Sequence, residues 1–362
     1  MSRFDFAIVG AGIAGATLAA ELAPQGSVVV LEEEAVAGYH ATGRSAAFWS
    51  ETYGGPAVQP LTTASRGALD PYLAPLGSLH VGRAEDAAAI DALLAEFEDS
   101  GVELRPVDPA AYVPGLRPEW TLGVIEPSCA YIDVAGLHAD ALARARRAGA
   151  VVRLNAGLHA AERGGADWRI ETTDGPVVAG ILIDAAGAWA DPVAERCGAR
   201  PLGIRPYRRT MAQLRTDPAP SMALPLVADI GGSFYFKPEA GGRLWLSPHD
   251  EIPTDPCDAQ PEELDVAVAI DRFERVVDWR VAAVERKWAG LRSFAPDRRP
   301  VYGFAPDRPG FFWCAGQGGF GIQTAPAAAR LAAALLLGRV PELDPAPYAP
   351  DRFGDDSSGD AY

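Results

Sequence analysis

Cysteine is scarce in this chain: four in 362 residues (Cys129, Cys197, Cys257 and Cys314), widely spaced and without a CxxC pair. That pattern excludes a disulfide scaffold and a zinc ribbon, and it predicts buried free thiols in a reducing compartment. Histidine is as thin, five residues without ligand spacing, so no metal site is expected. Basic residues are outnumbered, 32 Lys and Arg against 48 Asp and Glu, for a net charge of −16. A surface of that sign argues against nucleic acid and against anionic membranes as partners. Long hydrophobic runs are missing too. The apolar stretch 331–337 is too short to span a bilayer, and nothing ahead of the first strand reads as a signal peptide. A cytoplasmic protein without membrane insertion is the expectation. With 48% hydrophobic and 22% charged residues, the composition suits a globular protein of two lobes.

What the chain does contain begins at its first strand. Apolar residues 4–9 read as a buried parallel strand that ends in Gly10-Ala-Gly-Ile-Ala-Gly15, with helix-forming residues 13–23 directly behind. A second strand, 27–32, ends in Glu32. Gly10 permits the tight turn, Gly12 lets backbone approach a pyrophosphate, and Gly15 lets helix pack closely on strand. The helix start turns free N–H groups and a positive dipole end toward the phosphates, and the acid suits ribose hydroxyls. Strand, glycines, helix, strand and acid in this order predict a dinucleotide site.

Further nucleotide-type elements recur in the middle and at the end of the chain. A helix over 135–148 leads to a strand at 150–154, and Asp174-Gly175 marks a hairpin between 168–173 and 177–184. Residues 181–187 are again a strand entering a glycine turn, and 311–315 is another, entering Gly316-Gln-Gly-Gly-Phe-Gly321. A long Ala/Leu helix over about 324–337 follows, with Thr324 as its expected cap and Pro326 in its first turn. Between these lie Pro- and Gly-punctuated segments, one helical run near 86–99, and strands at 207–216, 233–237 and 243–247. The reading is α/β with an α+β second lobe: a Rossmann-like domain over 1–50, 135–205 and 288–350 holds an inserted, mainly antiparallel β-sheet substrate domain over 51–134 and 206–287. Residues 351–362 read as a disordered tail. Repeated glycine turns aimed at the first suggest a cofactor longer than a nicotinamide dinucleotide.

Three more groups carry chemistry. His40-Ala-Thr-Gly-Arg-Ser-Ala-Ala47 follows the second strand, and a helix from Ser45 would again suit phosphate or an anionic ring. Arg292, in Trp288-Ala-Gly-Leu-Arg292-Ser-Phe, is a candidate for a carboxylate, which arginine binds in a two-pronged fashion. Tyr235 sits on a strand in Ser233-Phe-Tyr-Phe-Lys-Pro; Arg208 and Arg209 lie on another and must face opposite ways.

These segments resemble the FAD-dependent D-amino-acid oxidase/glycine oxidase superfamily, and among its members the bacterial D-arginine dehydrogenases. The matching pieces are Val9–Ala16, Gly38–Ala47, Asp184–Trp189, Ser233–Pro238, Trp288–Phe294 and Gln317–Thr324, collinear over almost the whole chain. The resemblance implies non-covalent FAD, with Gly290 where sarcosine oxidases carry an attachment cysteine. It implies cofactor contacts at Gly10, Gly12, Ile13, Ala14, Gly15, Glu32 and Glu33. Further contacts are implied at Gly43, Arg44, Ser45, Ala46, Ala47, Leu158, Ala186, Gly187 and Trp189, and at Gly318, Gly319, Phe320, Gly321, Ile322 and Gln323. Arg292 would hold the substrate carboxylate with Tyr235 and Arg209 (Arg208 being the rival), Tyr53 would line the pocket, and the Gly319 carbonyl would orient the amine. The implied reaction is oxidative deamination of a D-α-amino acid by hydride transfer from Cα to flavin N5. The imino acid then hydrolyses to a keto acid and ammonia, and a quinone, a dye or O2 takes the electrons. A sarcosine/glycine oxidase-like amine oxidase and a non-catalytic flavin-binding protein are the alternatives. Two departures concern the side-chain pocket. Phe48 stands where the D-arginine enzymes have histidine, and Ser78 aligns with their glutamate. Phe48 and Trp49 suggest an apolar pocket, with Glu51 as a substitute acid.

Overall fold

In a computed structural model, which describes residues 3–354, the chain forms two compact units. One comprises residues 3–43, Ala135–Pro206 and 292–354; the other comprises Arg44–Val134 and Tyr207–Leu291. The mixed α/β architecture is as expected.

In the first unit a sheet runs in the order Leu158–Gly164, Asp167–Thr172, Val177–Asp184, Arg3–Val9, Val28–Leu31, Val151–Arg153. Phe311–Ala315 lies parallel to the last residues of Val177–Asp184 and carries Val301–Phe304 antiparallel on its other side. The parallel strands are buried on both faces, and so they read as unbroken apolar runs. Two small-residue helices, Ile13–Leu22 and Gly321–Leu336, pack on each other through alanines and glycine, which permit close approach. The opposite face holds the main core, with Trp168, Phe311 and Trp313 at its centre. Five parallel strands end along one edge of this sheet. The residues that follow them are Gly10, Glu32, Ala185 and Gly316, together with the turn after Arg153. In open α/β sheets ligands bind outside that carboxyl edge.

The second unit is built on a mostly antiparallel sheet. Its strands run in the order Arg280–Phe294, Arg205–Asp217, Arg243–Ser247, Tyr235–Glu239, Leu226–Asp229, Ser78–Gly82, Leu122–Glu126, Arg105–Val107. Leu226–Asp229 with Ser78–Gly82 is a parallel pair. A small sheet of Phe48–Trp49, Ala130–Ile132 and Leu73–Pro75 accompanies it. Helix Glu263–Glu274 covers the core around Phe236 and Phe273.

Several local expectations change. No helix starts at Ser45: Ala47 adopts a left-handed φ of +55°, and Phe48–Trp49 pairs with Ala130–Ile132 instead. The long helix begins at Gly321, not Thr324; the Thr324 hydroxyl donates back to the Phe320 carbonyl at 2.9 Å, and Pro326 lies inside the helix. Arg292 is on the strand Arg280–Phe294, ahead of the turn at Pro296. Helices Gln59–Leu69 and Glu263–Glu274 were not foreseen. Cys257 is exposed, unlike the other three free cysteines, which are buried. Pro350–Phe353 forms a short 3-10 turn, so order runs past residue 350; the rest of the expected tail, from 355, lies outside the described residues. Among the described residues no helix is long and apolar enough to cross a membrane.

Candidate cofactor and substrate sites

The first unit gathers most of the residues expected around a dinucleotide. Gly10 turns at φ +101°, and a Cβ there would lie 2.5 Å from the Ala185 carbonyl oxygen. A Cβ on Gly15 would lie 2.0 Å from the Gly10 carbonyl oxygen. Packing therefore demands both glycines. Gly12 differs: a Cβ there meets nothing nearer than Thr42 Oγ1 at 3.3 Å. The protein alone has little need of glycine at this position, whereas a close ligand does. The Ile13 N–H donates to Thr42 Oγ1 at 2.9 Å, and Ala14 and Gly15 belong to the same first turn, whose amides lack partners within the helix. Glu32 accepts from the Ala11 N–H at 2.8 Å and the Glu34 N–H at 3.0 Å, which fixes its carboxylate beside the glycine turn. Glu33 is exposed over Gly157, and Leu158 points into the core. Gly43 closes a turn on the Gly38 carbonyl at 2.9 Å.

The central turn is pinned by Asp184, whose Oδ1 accepts from the Ala186 N–H at 3.0 Å. Full burial pushes the Asp184 carboxyl well above the usual carboxylate range. Gly187, at φ +60°, starts the 3-10 turn that brings Trp189 to 4.6 Å from the His40 ring, while His40 Nε2 meets Glu34 at 2.9 Å. On the last strand's side, Ser293 pairs with Gly318 and Phe294 with Gln317. Arg292 directly precedes Ser293, and Gly319 directly follows Gly318, at the end of this pairing. Phe320, Gly321, Ile322 and Gln323 then form the start of the helix, with Phe320 against Phe294. Arg292, the Gly319 turn and a helix N-terminus are thus assembled by one short antiparallel pairing.

The second unit holds the remaining residues. Ser45 Oγ accepts from the Ala47 N–H at 3.1 Å, stabilising that left-handed turn. The Arg44 guanidinium is engaged by Asp258 and by the carbonyls of Ala259 and Ala289. Ala46, Met211, Leu226 and Tyr235 form an apolar cluster with Phe48 and Trp288 packed against it. Phe48 stands 5.2 Å from Tyr53 and 5.9 Å from Tyr235, ring to ring; the Tyr235 hydroxyl donates to Met211 Sδ at 3.1 Å. Trp49, by alternation, points away: its Nε1 donates to the Thr62 carbonyl and Arg66 covers its ring. Arg208 and Arg209 do face opposite ways. Arg208 pairs with Glu262 and Asp265, and Arg209 with Asp250 and with Glu251 at 3.1 Å.

Sequence reasoning missed Glu126. It is wholly buried and accepts from Ser50 Oγ (2.8 Å), Thr52 Oγ1 (2.6 Å) and the Glu51 N–H (2.7 Å), holding the loop between Phe48 and Tyr53. Glu51 itself accepts from Thr63 and Ser128. Burial pushes the Glu126 carboxyl up against the pull of these bonds. The only sequence signal was an acid ending an apolar strand. His80, 3.4 Å from Thr52 Oγ1, is lowered by burial to about 4 from an ordinary 6.5. Between those values the unfolded chain binds a proton that the folded chain refuses, so acidification from 6.5 to 4 costs stability. A His80→Asn variant is expected to lose part of that slope, read as melting temperature against pH; an unchanged slope would assign it to other groups.

An edge of parallel strands carrying three glycine turns and an acid defines a dinucleotide-binding protein. The chain belongs to the DAO family of FAD-dependent oxidoreductases, whose family model matches residues 5–335. It is 28% identical to glycine oxidase of Pseudomonas aeruginosa over 95% of this chain and 97% of that protein. It is 29% identical to FAD-dependent oxidoreductase domain-containing protein 1 of Mus musculus, a match that spans 49% of this chain and 40% of that protein. L-proline dehydrogenase from P. horikoshii shares the fold, with a TM-score of 0.86 at 21% identity over 97% of this chain and 98% of that one. FAD is accordingly the cofactor, and the open backbone at Gly12 between the first-turn amides and Glu32 fits it.

Proposed function

We propose that the protein oxidises the Cα–N bond of free α-amino acids, with D-amino acids of apolar side chain as its substrates. The observation that carries this reading is the pairing of Ser293 with Gly318, which brings the neighbouring Arg292 and Gly319 to one end of a short ladder just ahead of helix Gly321–Leu336. A guanidinium fork suits a carboxylate, and a backbone carbonyl one step away suits an amine N–H. Together they would hold an α-amino acid by its two backbone groups and leave Cα exposed on one face. Bound FAD supplies the hydride acceptor.

The chain's own contribution is placement. Gly10, Gly12, Ile13, Ala14 and Gly15 would take the pyrophosphate, with Glu32 at the ribose and Gly318–Gln323 at the pyrimidine end of the ring. A carbonyl acceptor favours a neutral amine, whose lone pair drives loss of hydride, so no separate strong base is needed. Rates should rise with pH through the ammonium pKa of the bound substrate. Phe48 and Tyr53 support an apolar side-chain pocket. The acids near them, Glu51 and Glu126, already accept several hydrogen bonds, which disfavours the guanidinium of D-arginine.

Likeness to glycine oxidase favours a second reading, oxidation of glycine and N-methyl amino acids. Anaerobic bleaching of the flavin's visible band by D-, L- and N-methyl amino acids separates the two. Apolar D-acids are expected to bleach it fastest; bleaching by glycine and sarcosine alone would replace the first reading with the second. Arg292→Met is expected to retain FAD and to lose amino-acid turnover by about a hundredfold or more, as loss of a charged bond of about 1.5–3 kcal/mol or of a bidentate pair implies. Unchanged kinetics in that variant would remove the carboxylate assignment.

A further inference from the structure

We propose that His249 is a positioning residue that holds the Tyr235 ring in place for the substrate. The proposal rests on the amino-acid reading above, in which Tyr235 stands at the substrate, but the brace is argued from its own geometry.

His249 lies two residues past Ser247, which pairs with Tyr235 across the ladder of Tyr235–Glu239 and Arg243–Ser247. Its backbone is left-handed, at φ +54°. Non-glycine residues take that conformation rarely, and they keep it where the surroundings impose it. Here the surroundings do. The His249 N–H donates to Ser247 Oγ at 3.1 Å. Arg272 donates to the Pro248 carbonyl at 2.6 Å and to the Ser233 carbonyl at 2.5 Å. On the other side Asp250 accepts from the N–H and the hydroxyl of Thr210, each at 2.8 Å. His249 Nδ1 meets the Gly232 carbonyl at 2.6 Å; a carbonyl only accepts, so Nδ1 carries a proton.

None of this requires an imidazole. Asparagine visits left-handed backbone readily, and its amide nitrogen stands about where Nδ1 does, so it would close the turn as well. What the imidazole adds is the far side of its ring. That ring stands edge-on to Tyr235, with centroids 5.6 Å apart and planes at 81°. Tyr235 is 4% exposed and meets Phe48 at 5.9 Å and 69°, and Phe48 in turn meets Tyr53 at 5.2 Å. Tyr53, Phe48, Tyr235 and His249 thus form a row of rings, and edge-to-face contacts favour one orientation of each over others. Without the imidazole, Tyr235 loses a ring neighbour. A ring already oriented has less freedom to lose when substrate arrives, so the effect falls on affinity more than on the chemical step.

Two variants separate the ring from the turn. His249→Asn keeps a donor for the Gly232 carbonyl and suits the backbone, but it lacks the ring. His249→Phe keeps a ring and lacks the donor. The FAD-loaded protein is labelled with 3-fluorotyrosine, the Tyr235 signal being the one missing from Tyr235→Phe, and D-leucine is the substrate probe. His249→Asn should melt close to the parent and should shift or broaden the Tyr235 fluorine signal. It should also raise the D-leucine dissociation constant in anaerobic flavin reduction by about three- to tenfold, more than it changes the limiting rate. His249→Phe should melt lower, yet recover most of the signal and the affinity. A role confined to the turn predicts the reverse order and overturns the brace, as does an unmoved Tyr235 signal or an unchanged affinity in His249→Asn. Should His249→Phe fail to fold, His249→Asn decides alone. If D-leucine fails to bleach the parent flavin while the signal moves as stated, the D-amino-acid reading falls and the brace stands.

Discussion

Gly12→Ala protein is expected to fold normally and to emerge colourless. A methyl at this position meets only the Thr42 hydroxyl, at 3.3 Å, a tight contact that a shift of a few tenths of an ångström in that one side chain relieves, so the first unit changes little. FAD does, because the methyl projects where backbone must come close to the pyrophosphate. Gly15→Ala is expected to lose the cofactor by a different route. Its methyl would sit 2.0 Å from the Gly10 carbonyl oxygen, and that neighbour is backbone held by the Ala185 turn. Relief requires the helix to move off the strand, at a cost of about 1–3 kcal/mol or more. The two variants thus separate ligand need from packing need. The flavin-to-protein absorbance ratio should collapse in both, while the melting temperature of the FAD-free protein should fall only in Gly15→Ala. Retention of flavin by Gly12→Ala would show that the opening there serves something else.

The glycine turn and its acid were legible in the sequence because they lie on neighbouring strand ends. Gly10 to Gly15 are one turn, and Glu32 ends the neighbouring strand, so spacing alone predicts their meeting. The turns at 185–189 and 316–323 could be tied to the first because buried parallel strands deliver their ends to one edge of a sheet. Arg208 and Arg209 likewise split as strand alternation requires. Failures came where a long-range partner overrides local preference. Ser45-Ala-Ala can start a helix in isolation, but pairing of Phe48–Trp49 with Ala130–Ile132, some eighty residues away, draws it into extended backbone. Thr324 looked like a cap, yet Phe320 takes the cap position and the helix starts three residues earlier, at Gly321. Glu126 had little local signature: Ser128, two residues on, donates to it at 3.3 Å, but its three shorter bonds come from residues 50–52.

Ser78→Glu carries the other large expected effect, and it inverts what alignment with D-arginine dehydrogenases suggests. On sequence alone, glutamate here should restore an acid for a cationic substrate. The structure puts Ser78, 1% exposed, in a central strand directly opposite Glu126, which is wholly buried. Paired residues of an antiparallel ladder hold their Cβ atoms about 4.5–5.5 Å apart. A second carboxyl would therefore face the first in a site where Ser50, Thr52 and the Glu51 N–H are already committed. Two like charges cannot both stay ionised there, and the cost of an unpaired buried charge is about 3–5 kcal/mol. That is a large part of a stability of about 5–15 kcal/mol. The variant should be largely insoluble or melt far below the parent. Whatever folds should regain stability on mild acidification, because a carboxyl whose folded pKa is raised binds a proton earlier when folded than when unfolded. Ser78→Gln separates the causes: similar in size but uncharged, it should lose much less and gain no more on mild acidification than the parent does through Glu126 itself. A soluble Ser78→Glu protein with new activity on D-arginine would mean that the Glu126 network yields, and that the side-chain pocket extends to this strand.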